Sequence, residues 1–253
     1  MTIAFWSNEK HVCGVSMSVA AISAVWSEQF LEKVYVSANH IGEDGVFSYL
    51  QGRDIRQRGC GTHCYGDPEY WRGLRRMRGK TTVLNGMVQV LPMEGSQSET
   101  NTEYEGLRSL QKEILPEAPL LIDVATGGSR SSMQVLKAAD IIVVLLPEDG
   151  KSRQSLLDEL GSMKKRCFFI FSKYNPSRHE APSYVMAKLG IPEKRSGIIP
   201  YNEDFVRSLS EGTLISFLAD YKNCWKDDPK SYFLVSLLRT VVRLKKYAQE
   251  RSK

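Results

Sequence analysis

What most constrains this chain is an alternation: short, unbroken apolar runs recur along it, separated by stretches of helical length and pattern. The runs are Ile3 to Trp6, Val34 to Ser37, Val83 to Leu91, Leu120 to Ile122 ahead of Asp123, Ile141 to Leu146, Cys167 to Phe171 and Ile198 to Pro200. Helical patterns follow Gly14 as far as Phe30 and cover Tyr70 to Arg78, Thr102 to Leu115, Ser129 to Ala138, Lys151 to Met163 and Pro182 to Leu189, with more to the C-terminus. A strand with one wet face alternates polar with apolar residues; Ile141 to Leu146 does not, so both of its faces are buried. Continuous apolar strands interleaved with helices predict an α/β fold with a doubly wound, mostly parallel sheet flanked by helices. In such sheets ligands bind beyond the carboxyl ends of the strands, so the loops after Trp6, Asp123, Leu146, Phe171 and Pro200 are expected to share one crevice.

With 253 residues, 42% of them hydrophobic, the chain can bury one good core, and a single domain over residues 1–253 is expected. The longest candidate for a membrane span, Cys13 to Leu31, is broken by Ser16, Ser18, Ser23, Ser27, Glu28 and Gln29, so no span is predicted. The start of the chain lacks the basic and apolar regions of a secretory signal, and five cysteines without framework spacing suit a reducing compartment. A cytoplasmic protein is expected. Cys60, His63 and Cys64, with His11, Cys13 or His40 as further donors, form the one cluster with metal-ligand chemistry. They lack a second matching pair, which favours a glycine-rich surface loop over a metal site.

Charge is uneven. Residues 51–80 hold eight basic side chains (Arg53, Arg56, Arg58, Arg72, Arg75, Arg76, Arg78, Lys80) against three acidic ones, which equals the chain's whole net charge of +5. This is either a solvated arginine-rich face or a surface for nucleic acid, anionic lipid or an acidic partner. From about Pro229, a last amphipathic helix repeats Phe233, Leu234, Leu237, Leu238, Val241, Val242 and Leu244 with basic residues between and after them. It is read as packing on the sheet, with membrane-surface contact as the alternative.

The loop after the first strand is Asn8-Glu9-Lys10-His11-Val12-Cys13-Gly14-Val15-Ser16. Its place, between a strand and a small-residue helix, is that of a phosphate loop, yet of the glycines that let backbone N–H groups face phosphates only Gly14 is present. Gly79-Lys80-Thr81-Thr82 looks like the tail of such a motif, but Leu74 stands where its first glycine belongs and a strand pattern follows it.

Four stretches in order resemble the ParA/MinD family of deviant Walker P-loop ATPases. They are residues 3–29, Leu120 to Gly127, Ala138-Ala139-Asp140 leading into Ile141 to Leu146, and Gly197 to Asn202. Within that family the chain looks most like a degenerate branch related to the TadZ/CpaE proteins of Tad pilus loci. Trp6-Ser7 and Ile199 to Asn202, followed by Ser210-Glu211-Gly212, carry that likeness. The resemblance implies a P-loop NTPase fold of the SIMIBI/ParA kind. Laid residue on residue, the family's pattern puts Glu9 on the signature lysine, Gly14 on the Walker lysine and Val15 on the Mg²⁺-binding threonine. A shift of one brings Ser16 to the hydroxyl's place without restoring a Walker lysine, and Lys10 is then the loop cation able to turn toward a phosphate.

Asp123 matches the Walker B aspartate, with capping of the next loop as its structural alternative; Lys173 in Ser172-Lys173-Tyr174-Asn175 falls among base-binding residues, and Pro200-Tyr201 border the adenine. Asn39, Glu43 and Asp44 lie near the family's second aspartate, but spacing selects none of them. The resemblance thus implies ATP or ADP, with or without Mg²⁺ at Asp123, among Lys10, Cys13, Gly14, Val15, Ser16, Asp123, Lys173, Pro200 and Tyr201. Phosphoryl transfer depends on positioning and electrostatics, so losing these anchors harms hydrolysis more than binding. The expected protein is a pseudo-ATPase: a non-hydrolysing homodimer that localises or organises a Tad-type pilus or secretion assembly at the membrane periphery or cell pole. The alternatives are a residual ATPase using Lys10 with Asp123, and a partitioning protein that binds nucleic acid through the Arg53 to Lys80 region.

Overall fold

A computed structural model of the chain describes residues 1–9, 14–38, 45–51, 82–83, 88–92, 118–124, 126–147, 150–177, 180–219 and 229–251. One eight-stranded sheet organises it, in the order β3-β4-β2-β5-β1-β6-β7-β8. The strands are β1 (Thr2–Trp6), β2 (Val34–Ala38), β3 (Thr82–Val83), β4 (Val88–Pro92), β5 (Leu120–Asp123), β6 (Ile141–Leu146), β7 (Cys167–Tyr174) and β8 (Ser196–Pro200). All neighbours pair in parallel except β3 with β4. The single strand expected over Val83 to Leu91 is therefore two antiparallel pieces. Asn85-Gly86, a short-range hairpin signal, lies between them in sequence.

The described helices are α1 (Val15–Phe30), α2 (Val46–Gln51), α3 (Arg130–Ala138), α4 (Gly150–Leu160), α5 (Pro182–Lys188), α6 (Glu203–Glu211), α7 (Leu214–Ala219) and α8 (Pro229–Arg251). Alternate residues of each strand point to opposite faces. Ile3, Phe5, Val143, Phe168 and Ile170 meet α1, α6, α7 and α8. Ala4, Trp6, Ile142, Val144 and Phe169 meet α3, α4 and α5 on the other side. Every residue of β1 and β6 is buried, which is why their runs carry no polar alternation. Each large side chain so buried contributes about 1.5–3 kcal/mol of transfer free energy.

Two departures from the expected boundaries have local causes, and two further differences concern β7 and α2. Ser129 caps α3 by accepting a hydrogen bond from Ser132 N–H at 3.1 Å, so the helix starts one residue later. The helix expected from Lys151 to Met163 tightens into a 3₁₀ turn over Gly161–Arg166, where Gly161 takes a left-handed φ of 48°. Strand β7 runs three residues past Phe171, to Tyr174. The six-residue helix α2 gave no signal in the sequence reading.

Helix α8 closes the sheet at β8. Its inner face buries Phe233, Leu237, Val241 and Leu244, and Phe233 stacks with Phe205 and Phe217 at centroid distances of 4.6 and 5.7 Å. Its basic end is partly engaged within the chain: Arg243 pairs with Glu193 at 2.8 Å, and Lys245 binds Glu32 and sits over the Phe30 ring. Tyr232, Val235 and Val242 stay exposed on the outer face.

Thr240 Oγ1 both accepts from Ile198 N–H and donates to Ile198 O, each at 2.9 Å, which satisfies the edge backbone at that residue. Gly197 permits this approach, because a Cβ there would lie 2.3 Å from Thr240 Cγ2 and 2.9 Å from Thr240 Cβ. Gly197→Ala is expected to destabilise the protein by about 1–3 kcal/mol through overpacking. Urea unfolding checks it: the loss should shrink when Thr240→Ser is added, and an additive pair would show that the two residues do not meet.

Candidate functional site

The carboxyl ends of β1, β5, β7 and β8 define the crevice anticipated from the strand pattern, and the start of α1 lies across it. Gly14, at φ 62° and ψ 49°, is the residue that turns the chain into α1. Among the described residues no side chain caps this helix, and no acidic residue occupies its first turn. Its positive end and leading N–H groups thus face the crevice without a carboxylate of its own helix to offset them. Ser18 Oγ turns inward and donates to Gly14 O at 2.9 Å.

Beneath that turn, Ser16 Oγ donates to Asp123 Oδ2 at 2.8 Å, joining residues 107 positions apart. Asp123 ends β5 and is only 4% exposed. Burial lifts its carboxyl from 3.8 to about 6, while the hydrogen bond from Ser16 pulls the other way. Of the two registers weighed for the loop, this contact matches the shifted one, which seats Ser16 as the hydroxyl. Val15, beside it in sequence, is buried in the core, 6% exposed. The Val15 side chain packs into the core, whereas Ser16 meets Asp123.

The two loops are stapled together. Trp6, fully buried at the end of β1, donates its indole N–H to Gly127 O at 3.0 Å, and Gly127 N–H reaches Ser7 O at 3.1 Å. Nothing in the sequence reading assigned Trp6 this role, because an indole at a strand end reads only as core. On the other side, Gly14, Ser172, Lys173, Pro200, Tyr201 and Asn202 line a shallow cleft. Tyr201 is 48% exposed there, and its N–H is held by Tyr174 O at 2.8 Å. Asn202 accepts from Phe205 N–H at 2.8 Å and so serves as the N-cap of α6, a role signalled by the Glu203-Asp204 that follow it.

Among the expected site residues, Gly14, Ser16 and Asp123 come together, and Lys173, Pro200 and Tyr201 flank Gly14. Lys10 and Cys13 lie outside the described residues, as do His11, Asn39, His40, Glu43, Asp44, the whole Arg53 to Lys80 region with Cys60, His63 and Cys64, and the helix expected over Thr102 to Leu115. Among the described residues no group of three or more His, Cys, Asp and Glu side chains could hold a metal ion, and no helix is long and apolar enough to cross a membrane. The serine hydroxyl and carboxylate are hard oxygen donors of the kind Mg²⁺ uses beside a phosphate, so this part of the site fits the metal and the nucleotide. Val15 does not, because it brings no cation.

Comparison with solved structures defines the fold. The chain superimposes on MinD in the MinC:MinD cell division complex of Aquifex aeolicus with a TM-score of 0.69, at 17% identity over 97% of this chain and 95% of that one. A ParA family ATPase from Chlorobium tepidum gives 0.64 at 16% identity, covering 96% and 98%. The septum site-determining protein MinD of Pyrococcus horikoshii, complexed with Mg-ADP, gives 0.58 at 16% identity over the full length of both. The fold is that of the MinD and ParA ATPases, an α/β P-loop NTPase fold. No family model matches the chain, and no curated protein matches it.

Asp123 binds its proton more tightly in the folded chain than in the unfolded one, at about 6 against 3.8. The stability this confers is fully present below the unfolded value and is lost as pH rises through the folded one. Asp123→Asn, which cannot ionise, should therefore gain on the wild type by about 2–3 kcal/mol between pH 4 and pH 7. Urea midpoints measured across that range check it; parallel curves for the two proteins would refute a raised pKa.

Proposed function

We propose that this chain is a ParA/MinD-like domain that holds a nucleotide's phosphates without turning the nucleotide over, and that acts as a homodimeric scaffold for an envelope assembly. The observation that carries it is the contact of Ser16 with Asp123 beside a buried Val15. A hydroxyl and carboxylate in the place of the Mg²⁺ donors support retained binding. An aliphatic residue in the place of the Walker lysine supports lost catalysis, since transfer relies on charge stabilisation that valine cannot give. The Mg-ADP complex of the Pyrococcus horikoshii protein on the same fold supports the choice of ligand class. Trp6-Ser7 and Ile199 to Asn202, with their likeness to TadZ/CpaE proteins, support a Tad-type pilus or secretion assembly as the partner. A gene that sits apart from any pilus or secretion genes would remove that half of the proposal.

Purified protein with Mg-ATP is expected to release phosphate no faster than the buffer background, and Asp123→Ala is expected to leave that rate unchanged. Light scattering with and without nucleotide is expected to give a dimer. Turnover that Asp123→Ala abolishes would make the protein an ATPase and end the scaffold reading.

A further inference from the structure

We propose that the groove between α1 and α8 is a docking site for an acidic amphipathic helix of another protein. The inner face of α8 belongs to the core, but the apolar surface of this helix does not stop there. Leu234 and Leu238 form one wall of an open groove of about 270 Å³, completed by Val25 of α1, Leu31 just after it and Leu218 of α7. Val235 and Val242 stand three residues before and four residues after Leu238, so they carry the apolar stripe onto the outer surface. Leu31 closes α1 in a left-handed conformation, φ 52°, where glycine is the usual residue, and its side chain is 82% exposed. Seven large apolar side chains are exposed among the described residues; Leu31 lines this groove, and Tyr232, Val235 and Val242 lie on the outer side of α8. More than half of them thus gather on two adjoining elements, a concentration that marks a contact surface.

Charge selects the occupant. Arg239 follows Val235 by four residues and Lys246 follows Val242 by four, which sets both cations along the stripe. Both are exposed, and neither makes an ion pair or hydrogen bond among the described residues, whereas Arg243 is held by Glu193 and Lys245 by Glu32. From Pro229 to Gln249 the helix has no acidic residue. An apolar stripe edged by two cations seven residues apart, about 10 Å along the axis, matches a helix with carboxylates at the same spacing and apolar residues between them. A second copy laying its own α8 on the stripe would bring Arg239 and Lys246 no acid from that helix. A lipid surface is flat and anionic, so it would leave the recess unfilled and meet Glu28 on the rim. A helix fills the recess, as a third rod laid along the seam of two packed ones. Leu31 and Ser16 lie at opposite ends of the sixteen-residue α1, so docking here makes no demand on the nucleotide cleft.

Fluorescence anisotropy of two labelled peptides with the full chain, without nucleotide, tests this docking. Both peptides are amphipathic leucine helices of about five turns held by a lactam bridge. One carries glutamates at seven-residue spacing beside the leucines, and the other carries lysines at the same places. The glutamate peptide is expected to bind with micromolar affinity, and the lysine peptide at least about 10-fold more weakly. Leu31→Glu, and separately Arg239→Glu combined with Lys246→Glu, are each expected to weaken the glutamate peptide at least about 10-fold, and the charge reversal is expected to strengthen the lysine peptide. No binding of the glutamate peptide, equal binding of the two peptides, or an affinity unchanged in either variant overturns the proposal. Flotation of the wild type but not the charge-reversed variant with phosphatidylglycerol vesicles would give the face to a lipid surface, and a dimer that Leu31→Glu splits would give it to a second copy; either overturns it too. The three positions are exposed, melting curves establish that each variant is folded, and Leu31→Ser replaces Leu31→Glu if that variant is not.

Discussion

A parallel sheet covered by helices on both faces leaves only the ends of its strands for chemistry, and everything else in this molecule follows from that constraint. The residues of β1 and β6 are spent on burial. Polar groups survive where the strands stop: Ser7 after β1, Asp123 at the end of β5, Ser172 and Lys173 near the end of β7, Asn202 after β8. Their convergence needs no special device, since parallel strands deliver their carboxyl ends to the same side.

Within that crevice neighbouring residues of α1 have different surroundings. The pair that spans 107 residues, Ser16 with Asp123, keeps both members and their contact. The residue next to Ser16 in sequence, Val15, is apolar and belongs to the core. Hydrogen-bonded burial explains part of this asymmetry: a carboxylate this deep, deprived of its hydroxyl partner, would carry a larger desolvation cost. Structural need can thus keep a serine and an aspartate together whatever the loop above them does.

The sheet was legible in the sequence because burial on both faces erases polar alternation, and runs such as Ile141 to Leu146 have no other explanation. Asp123 was legible for the same reason, as the first charge after an apolar strand. The end of β7 was not legible, because Ser172, Lys173 and Tyr174 look like loop and a bulge has no compositional mark. The register of the loop at α1 was ambiguous by one residue in the sequence, because periodicity does not reach the contact of Ser16 with Asp123 across 107 positions. Trp6 looked like core and is core, and its bond to Gly127 depends on a residue 121 positions away that no local pattern announces.

The clasp of Thr240 on Ile198 has a meaning for assembly. A strand at the rim of a sheet is ordinarily a template on which another chain can add its own strand. Here one threonine hydroxyl occupies both the donor and the acceptor of Ile198, and helix α8 lies against β8. At Ile198 the rim of β8 is thus occupied from within the chain, and an added strand would find neither its donor nor its acceptor free there.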